Sequence, residues 1–121
     1  MAATASTKQA ERNVHIIVAA GSGSRYGGNL PKQFCLLDGR PLLMTTLERL
    51  HRHTPDWELT VVLSRDMTGE WQDMCREYGF SLPHSIVTGG PTRAHSVRNA
   101  IESLAVESCG LISVHDAARP V

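Results

Sequence analysis

Four apolar runs of strand length, separated by three stripes of helical period, leave this chain few folds to adopt. Val14-His15-Ile16-Ile17-Val18-Ala19-Ala20 is a near-continuous apolar run of the kind that suits a strand covered on both faces. Leu59–Leu63, Ser85–Val87 and Leu111–His115 are the other three runs. Between them, Leu43, Leu47 and Leu50 recur at helical spacing behind Pro41, which suits a first helical turn. Trp71, Met74, Cys75 and Tyr78 form a second stripe with Gly79 as its stop. Ala94, Val97, Ile101 and Leu104 form a third. Alternation of this kind predicts an α/β fold, a doubly wound and mainly parallel sheet with helices on both faces. Ligands of such sheets bind beyond the carboxyl ends of the strands. The loop from Gly21, the turn at Gly89 and Asp116 all fall there, so three distant stretches converge on one rim.

The rest of the chain narrows the function by exclusion. Its 121 residues suffice for one modest domain, expected over 14–121, with the small polar start 1–13 read as a disordered tail. Twelve basic and twelve acidic side chains cancel. No global field therefore recruits nucleic acid or an anionic membrane, and any anion site is local. No apolar run approaches the roughly 20 residues of a membrane span, and the start lacks the apolar stretch of a secretory signal. Cys35, Cys75 and Cys109 are widely spaced and form no C-x-x-C pair, which fits a reduced cytoplasm rather than a disulfide framework. The histidines His15, His51, His53, His84 and His95 show no metal-ligand spacing, and Trp57 and Trp71 read as packing residues.

The first run leads directly into Ala19-Ala20-Gly21-Ser22-Gly23-Ser24-Arg25. Small residues let the main chain approach a ligand, and exposed N–H groups cradle phosphate oxygens. A dinucleotide fingerprint needs glycine where Tyr26 stands, and a Walker loop needs lysine where Asn29 stands, so neither fits. What remains is G-x-G-x-R, a short gap, then Pro31-Lys32. Arg25 and Lys32 beside a nest of N–H groups suit a triphosphate and the charge that spreads over a reacting phosphorus. A tight surface turn with two solvated cations has the same local grammar.

The longer pattern A-A-G-x-G-x-R-x-x-x-x-x-P-K-Q-F, running from Ala19 to Phe34, resembles the start of 2-C-methyl-D-erythritol 4-phosphate cytidylyltransferases and the related ribitol-5-phosphate cytidylyltransferases. Two further segments carry the resemblance. Gly89-Gly90-Pro91-Thr92-Arg93-Ala94-His95-Ser96-Val97 resembles the family's G-G-x-x-R-x-x-S-V segment, and Val114-His115-Asp116-Ala117-Ala118-Arg119-Pro120 resembles its V-H-D-A-A-R-P signature letter for letter. The fold that this implies is the Rossmann-like nucleotide-diphospho-sugar transferase type. The resemblance runs from Val14 to Val121 and covers the N-terminal half of the family chain only, so the expected fold is truncated.

The resemblance implies transfer of CMP from CTP to a sugar-alcohol phosphate, with pyrophosphate released. Arg25 and Lys32 become the catalytic pair. Ala19, Ala20, Gly21, Ser22, Gly23, Gly90, Arg93, Ser96, Asp116 and Ala117 become the nucleotide-binding set, with Arg93 and Ser96 sharing one helix face toward the rim. Asp116, just past the fourth strand, is the expected Mg²⁺ ligand. Pro91 lacks an N–H, so one main-chain donor to a base is absent there. His115 is expected to be a hydrogen-bonded structural histidine rather than a base. Methylerythritol phosphate is the first acceptor and ribitol phosphate the alternative, while a fragment that binds nucleotide without catalysis is the reading from another class. The family implies a homodimer at full length, a cytoplasmic location, and a 121-residue chain that turns over poorly on its own.

Overall fold

The computed structural model of the chain describes residues 12–20, 36–37, 39–104 and 109–117. The strands are β1 (Arg12–Val18), the short β2 (Leu36–Leu37) and β3 (Arg40–Pro41), β4 (Glu58–Leu63), β5 (Ser85–Thr88) and β6 (Cys109–Asp116). The helices are α1 (Leu42–His53), α2 (Thr68–Glu77) and α3 (Arg93–Ser103). Four strands form one parallel sheet in the order β5-β4-β1-β6, as the apolar runs predict.

That order follows from handedness. The chain steps from β1 through α1 to β4 and through α2 to β5, always in one direction, so right-handed crossovers put both helices on one face. It then returns through α3 to β6 on the far side of β1, which puts α3 on the opposite face. Alternate residues of the strands serve the two layers. Ile17, Val61 and Leu63 are fully buried against Leu43, Met44 and Leu47 of α1 and Trp71 of α2. Ile16, Val18 and Val62 face Ala100, with Val97 and Ile101 of α3 at the margin. The reversal of direction lies between β1 and β6, and their carboxyl ends flank the crevice where such sheets bind ligands.

Several boundaries differ from the sequence expectation. The first strand begins at Arg12 and not Val14, so Arg12 and Asn13 belong to the sheet and not to the tail. Polar side chains hold this end: Arg12 Nε lies 3.2 Å from Glu58 Oε2, and Asn13 Oδ1 accepts the Leu111 N–H at 3.0 Å. The same strand ends at Val18, leaving Ala19 and Ala20 beyond it. Pro41 precedes α1 instead of occupying its first turn, because it pairs with Leu36 in the two-residue ribbon of β2 and β3. Gly39, at φ +81°, turns that ribbon.

Helix α2 stops where Gly79 predicts. Gly79 adopts φ +63°, its N–H bonds Arg76 O, and Phe80 N–H reaches back to Cys75 O at 2.8 Å, which is a Schellman closure. Trp71 is a packing residue, as expected, with one polar duty: its Nε1–H donates to His84 Nε2 at 3.0 Å. That bond leaves the His84 proton on Nδ1, where Leu82 O accepts it at 2.8 Å. Trp71→Phe should therefore lower the unfolding free energy by about 1–3 kcal/mol, from the lost donor to His84 and the indole's missing volume. Urea titration measures this, and an unchanged midpoint would mean that neither matters.

Candidate nucleotide site

The rim beyond the strand ends is built by hydrogen bonds that continue the ladder after each strand stops. Ala19 N–H donates to Val62 O at 2.8 Å, Gly89 N–H to Leu63 O at 2.8 Å, and Ala117 N–H to Val18 O at 3.0 Å. Each post-strand residue is thus fixed by the neighbouring strand. The buried Thr46 hydroxyl of α1 lies 2.9 Å from Ala117 O and holds the Asp116–Ala117 turn from below. Asn99 Nδ2 of α3 donates to Thr88 O at 3.1 Å and ties down the end of β5.

On this rim the expected residues sort into two kinds. Arg93 and Asp116 are at the surface, and they meet: Arg93 Nε is 3.2 Å from Asp116 Oδ1, with side chains 58% and 43% exposed. Ser96 lies beneath. It is 1% exposed, and its Oγ accepts the Gly90 N–H at 3.1 Å. Arg93 and Ser96 therefore do not both point outward; Ser96 braces the turn that Arg93 overhangs. Thr92 caps α3, its Oγ1 accepting the His95 N–H at 3.1 Å. Ala19 and Ala117 are buried and shape the floor of the crevice, and Ala20 borders the Gly89 turn. Gly21, Ser22, Gly23, Arg25 and Lys32 lie outside the described residues, as do Cys35 and Arg119.

Gly89 is required by close approach. A β-carbon there would stand 2.5 Å from Ala20 Cβ, which is fixed to its backbone, and 2.8 Å from Ser96 Oγ, which is engaged by the Gly90 N–H. Main-chain donors in the turn are spent, since Gly89 N–H goes to Leu63 O, Gly90 N–H goes to Ser96 Oγ, and Pro91 has none. Gly89→Ala should push the turn outward and lower the unfolding free energy by about 1–3 kcal/mol. A urea midpoint equal to the parent's would show that the turn yields freely.

His115 behaves as expected, hydrogen-bonded within a buried network. Thr54 Oγ1 donates to Leu50 O at 2.6 Å, so it accepts from His15 Nε2 at 2.9 Å. His15 then carries its proton on Nε2, and its bare Nδ1 accepts from His115 Nε2 at 3.0 Å. Ser113 Oγ lies 2.9 Å from the same His115 nitrogen, and Trp57 stacks on the His15 ring at 4.3 Å. Sequence reading misses this network: His15 is one polar residue in an apolar run, and its partners come from the residues that follow α1 and from β6. Thr46 is missed for the same reason.

Burial first and the His115 ring second push the His15 pKa down from 6.5 to about 4. Burial also lowers His115, opposed by the Asp116 carboxylate. Between pH 6.5 and 4 the unfolded chain thus binds a proton at position 15 that the folded chain refuses. The stability this confers is full above the unfolded value and is lost as pH falls through that window, by up to about 1.4 kcal/mol per pH unit. Urea unfolding at several pH values should show a shallower acid slope for His15→Gln than for the parent. Identical slopes would remove His15 from the account.

One carboxylate on an accessible rim, open to substrate phosphates, suits Mg²⁺, which binds through one or two carboxylates and keeps other positions for water and phosphate. Asp116 meets that description. Among the described residues no cluster of three or more His, Cys, Asp or Glu side chains could enclose a metal. Three clefts among the described residues, of about 700, 520 and 370 Å³, border the segment Phe80–His84 and contain none of the expected residues. No helix among the described residues is long and apolar enough to cross a membrane.

Known proteins resemble the chain along most of its length. The family model described as IspD: 2-C-methyl-D-erythritol 4-phosphate cytidylyltransferase matches residues 14–121. A relative of that name from Bacteroides fragilis is 43% identical over 105 residues, covering 87% of this chain and 47% of its own. One from Porphyromonas gingivalis is 43% identical over 111 residues, covering 92% and 48%. A solved 4-diphosphocytidyl-2C-methyl-D-erythritol synthase from Anaerococcus prevotii superposes with TM-score 0.71 at 25% identity, over 95% of this chain and 47% of that one. The chain spans about half the length of the curated relatives it matches.

Proposed function

The chain belongs to the 2-C-methyl-D-erythritol 4-phosphate cytidylyltransferase family, and on that premise we propose that it serves the transfer of CMP from CTP to 2-C-methyl-D-erythritol 4-phosphate, a step in isoprenoid precursor synthesis. The observation that carries the reading is the juxtaposition of Gly90, Arg93 and Asp116 on one rim at the reversal point of the sheet. Asp116 and Arg93 come from segments far apart in sequence, and both match the family's motifs.

The reaction needs no general base. The acceptor phosphate is anionic at neutral pH. One of its oxygens attacks the α-phosphorus of CTP, the bond from that phosphorus to the bridging oxygen breaks, and pyrophosphate leaves with the electron pair. Catalysis is alignment and charge neutralisation. Arg25 and Lys32 serve the negative charge that develops on the α-phosphate. Ala19, Ala20 and the loop Gly21-Ser22-Gly23 receive the triphosphate. With the turn's N–H groups engaged internally, base contact there falls to carbonyls, and a carbonyl accepts from the cytosine amino group but meets an oxygen in uracil. Asp116 would hold Mg²⁺, which supplies neutralisation of phosphate charge, and the buried Ala117 keeps the floor beneath it low. A cytoplasmic setting and a homodimer belong to the same reading.

Two measurements test it. Competition binding with CTP, UTP and ATP should rank CTP first, and a clear preference for ATP refutes the cytidylyl reading. In pyrophosphate-release assays within an active full-length context, Arg25→Ala and Lys32→Ala should each lower kcat by about 10²–10³ with little change in CTP affinity. Equal losses in binding and turnover would remove both from the transition state.

A further inference from the structure

Arg93 and Asp116 satisfy each other across the rim, and this has a consequence for how a metal enters. The Asp116 carboxylate, 43% exposed, is the group suited to Mg²⁺, yet the Arg93 guanidinium rests against its Oδ1 at 3.2 Å. The two side chains come from different layers: Asp116 ends β6, and Arg93 opens α3. Neither is held there by packing, since Arg93 is itself 58% exposed. Together they present zero net charge to an arriving ion. A bare divalent cation approaching Asp116 meets the guanidinium's positive charge at once. A metal that arrives already bound to a triphosphate brings its own anions, which offer the guanidinium a better partner than one carboxylate oxygen.

Resting on the nucleotide-site reading above, we propose that Arg93 is a coupling residue: its ion pair with Asp116 suppresses binding of free divalent metal and makes the site take metal and nucleoside triphosphate together. The ion pair is exposed and individually weak, so it can be exchanged and does not seal the site. Ser96 and Thr92 keep that exchange local. They hold the Gly90 turn and the first turn of α3 in place, so the Arg93 side chain can leave Asp116 without the backbone moving.

The test uses the 121-residue chain with Mn²⁺ as the probe for Mg²⁺, followed by electron paramagnetic resonance or calorimetry, with and without CTP. Arg93→Met keeps much of the side chain's length and apolar body while removing its charge, and circular dichroism checks that the variant folds. The parent should bind Mn²⁺ weakly alone and much more tightly with CTP. Arg93→Met should bind Mn²⁺ alone about five- to tenfold more tightly than the parent, as expected for removing one unit charge beside a divalent site in water. It should also lose most of the gain from CTP, and Arg93→Lys should restore the parent's behaviour. Asp116→Asn in the Arg93→Met background should abolish the gained Mn²⁺ affinity. The coupling is overturned if Arg93→Met binds Mn²⁺ alone no better than the parent, or if the gain survives Asp116→Asn. A different result strikes the nucleotide-site reading: a parent chain that binds Mn²⁺ equally with and without CTP.

Discussion

Parallel pairing on both sides of β1 is the constraint from which the rest of the structure follows. β1 is the only strand of the four that contacts both halves of the winding, with β4 on one edge and β6 on the other. Because it is central, its residues must satisfy two faces at once, which is why Ile16, Ile17 and Val18 stand in succession and all are buried. Because pairing continues past the strand ends, Ala19 and Ala117 are held in register with the sheet although neither is in a strand. The rim is therefore an extension of the sheet, and Ala19, Gly89 and Ala117 inherit positions set by main-chain hydrogen bonds.

This division explains what the amino-acid sequence makes legible. A strand buried on both faces must be apolar along its length, so β1 and β4 announce themselves; β6 shows an apolar run too, although Leu111 and Val114 are exposed. A helix with one buried stripe must repeat its apolar residues, so α1, α2 and α3 do the same. The ribbon of β2 and β3 has two residues on each side and too little length to show a period. Arg12 and Asn13 look like tail because they are polar, and partners distant in sequence, Glu58 and Leu111 among them, make them strand.

The candidate site divides in the same way. Asp116, Arg93 and Gly90 stand out because glycine turns and acids at strand ends have a restricted chemistry, and because the surrounding letters match a family. Their mutual arrangement is not local information. The ion pair joins residues 23 apart, and the Thr46 contact with Ala117 spans 71. Ser96 matches the family's motif, yet its burial beneath Gly90 depends on Ala20 and Val62 closing around Gly89. Motifs identify the participants, while the crossing of the chain over both faces of the sheet decides which of them touch.

The contact between His15 and His115 joins residues 100 apart. That distance bears on the order of events in folding. Closing a loop costs entropy that grows with its length, by about 0.6 kcal/mol for each doubling, before any contact repays it. Residues 19–57 separate β1 from β4 and residues 64–84 separate β4 from β5, so these pairings close shorter loops than the pairing of β1 with β6. β6 has no shorter route, because its only partner among the described strands is β1, at the opposite end of the sequence. Among the described strands, the pairing of β1 with β6 is therefore the topologically most expensive and the last to form. During synthesis, Asp116 emerges after β1, β4 and β5, and in a nascent chain Arg93 has no partner across the rim until β6 docks beside β1.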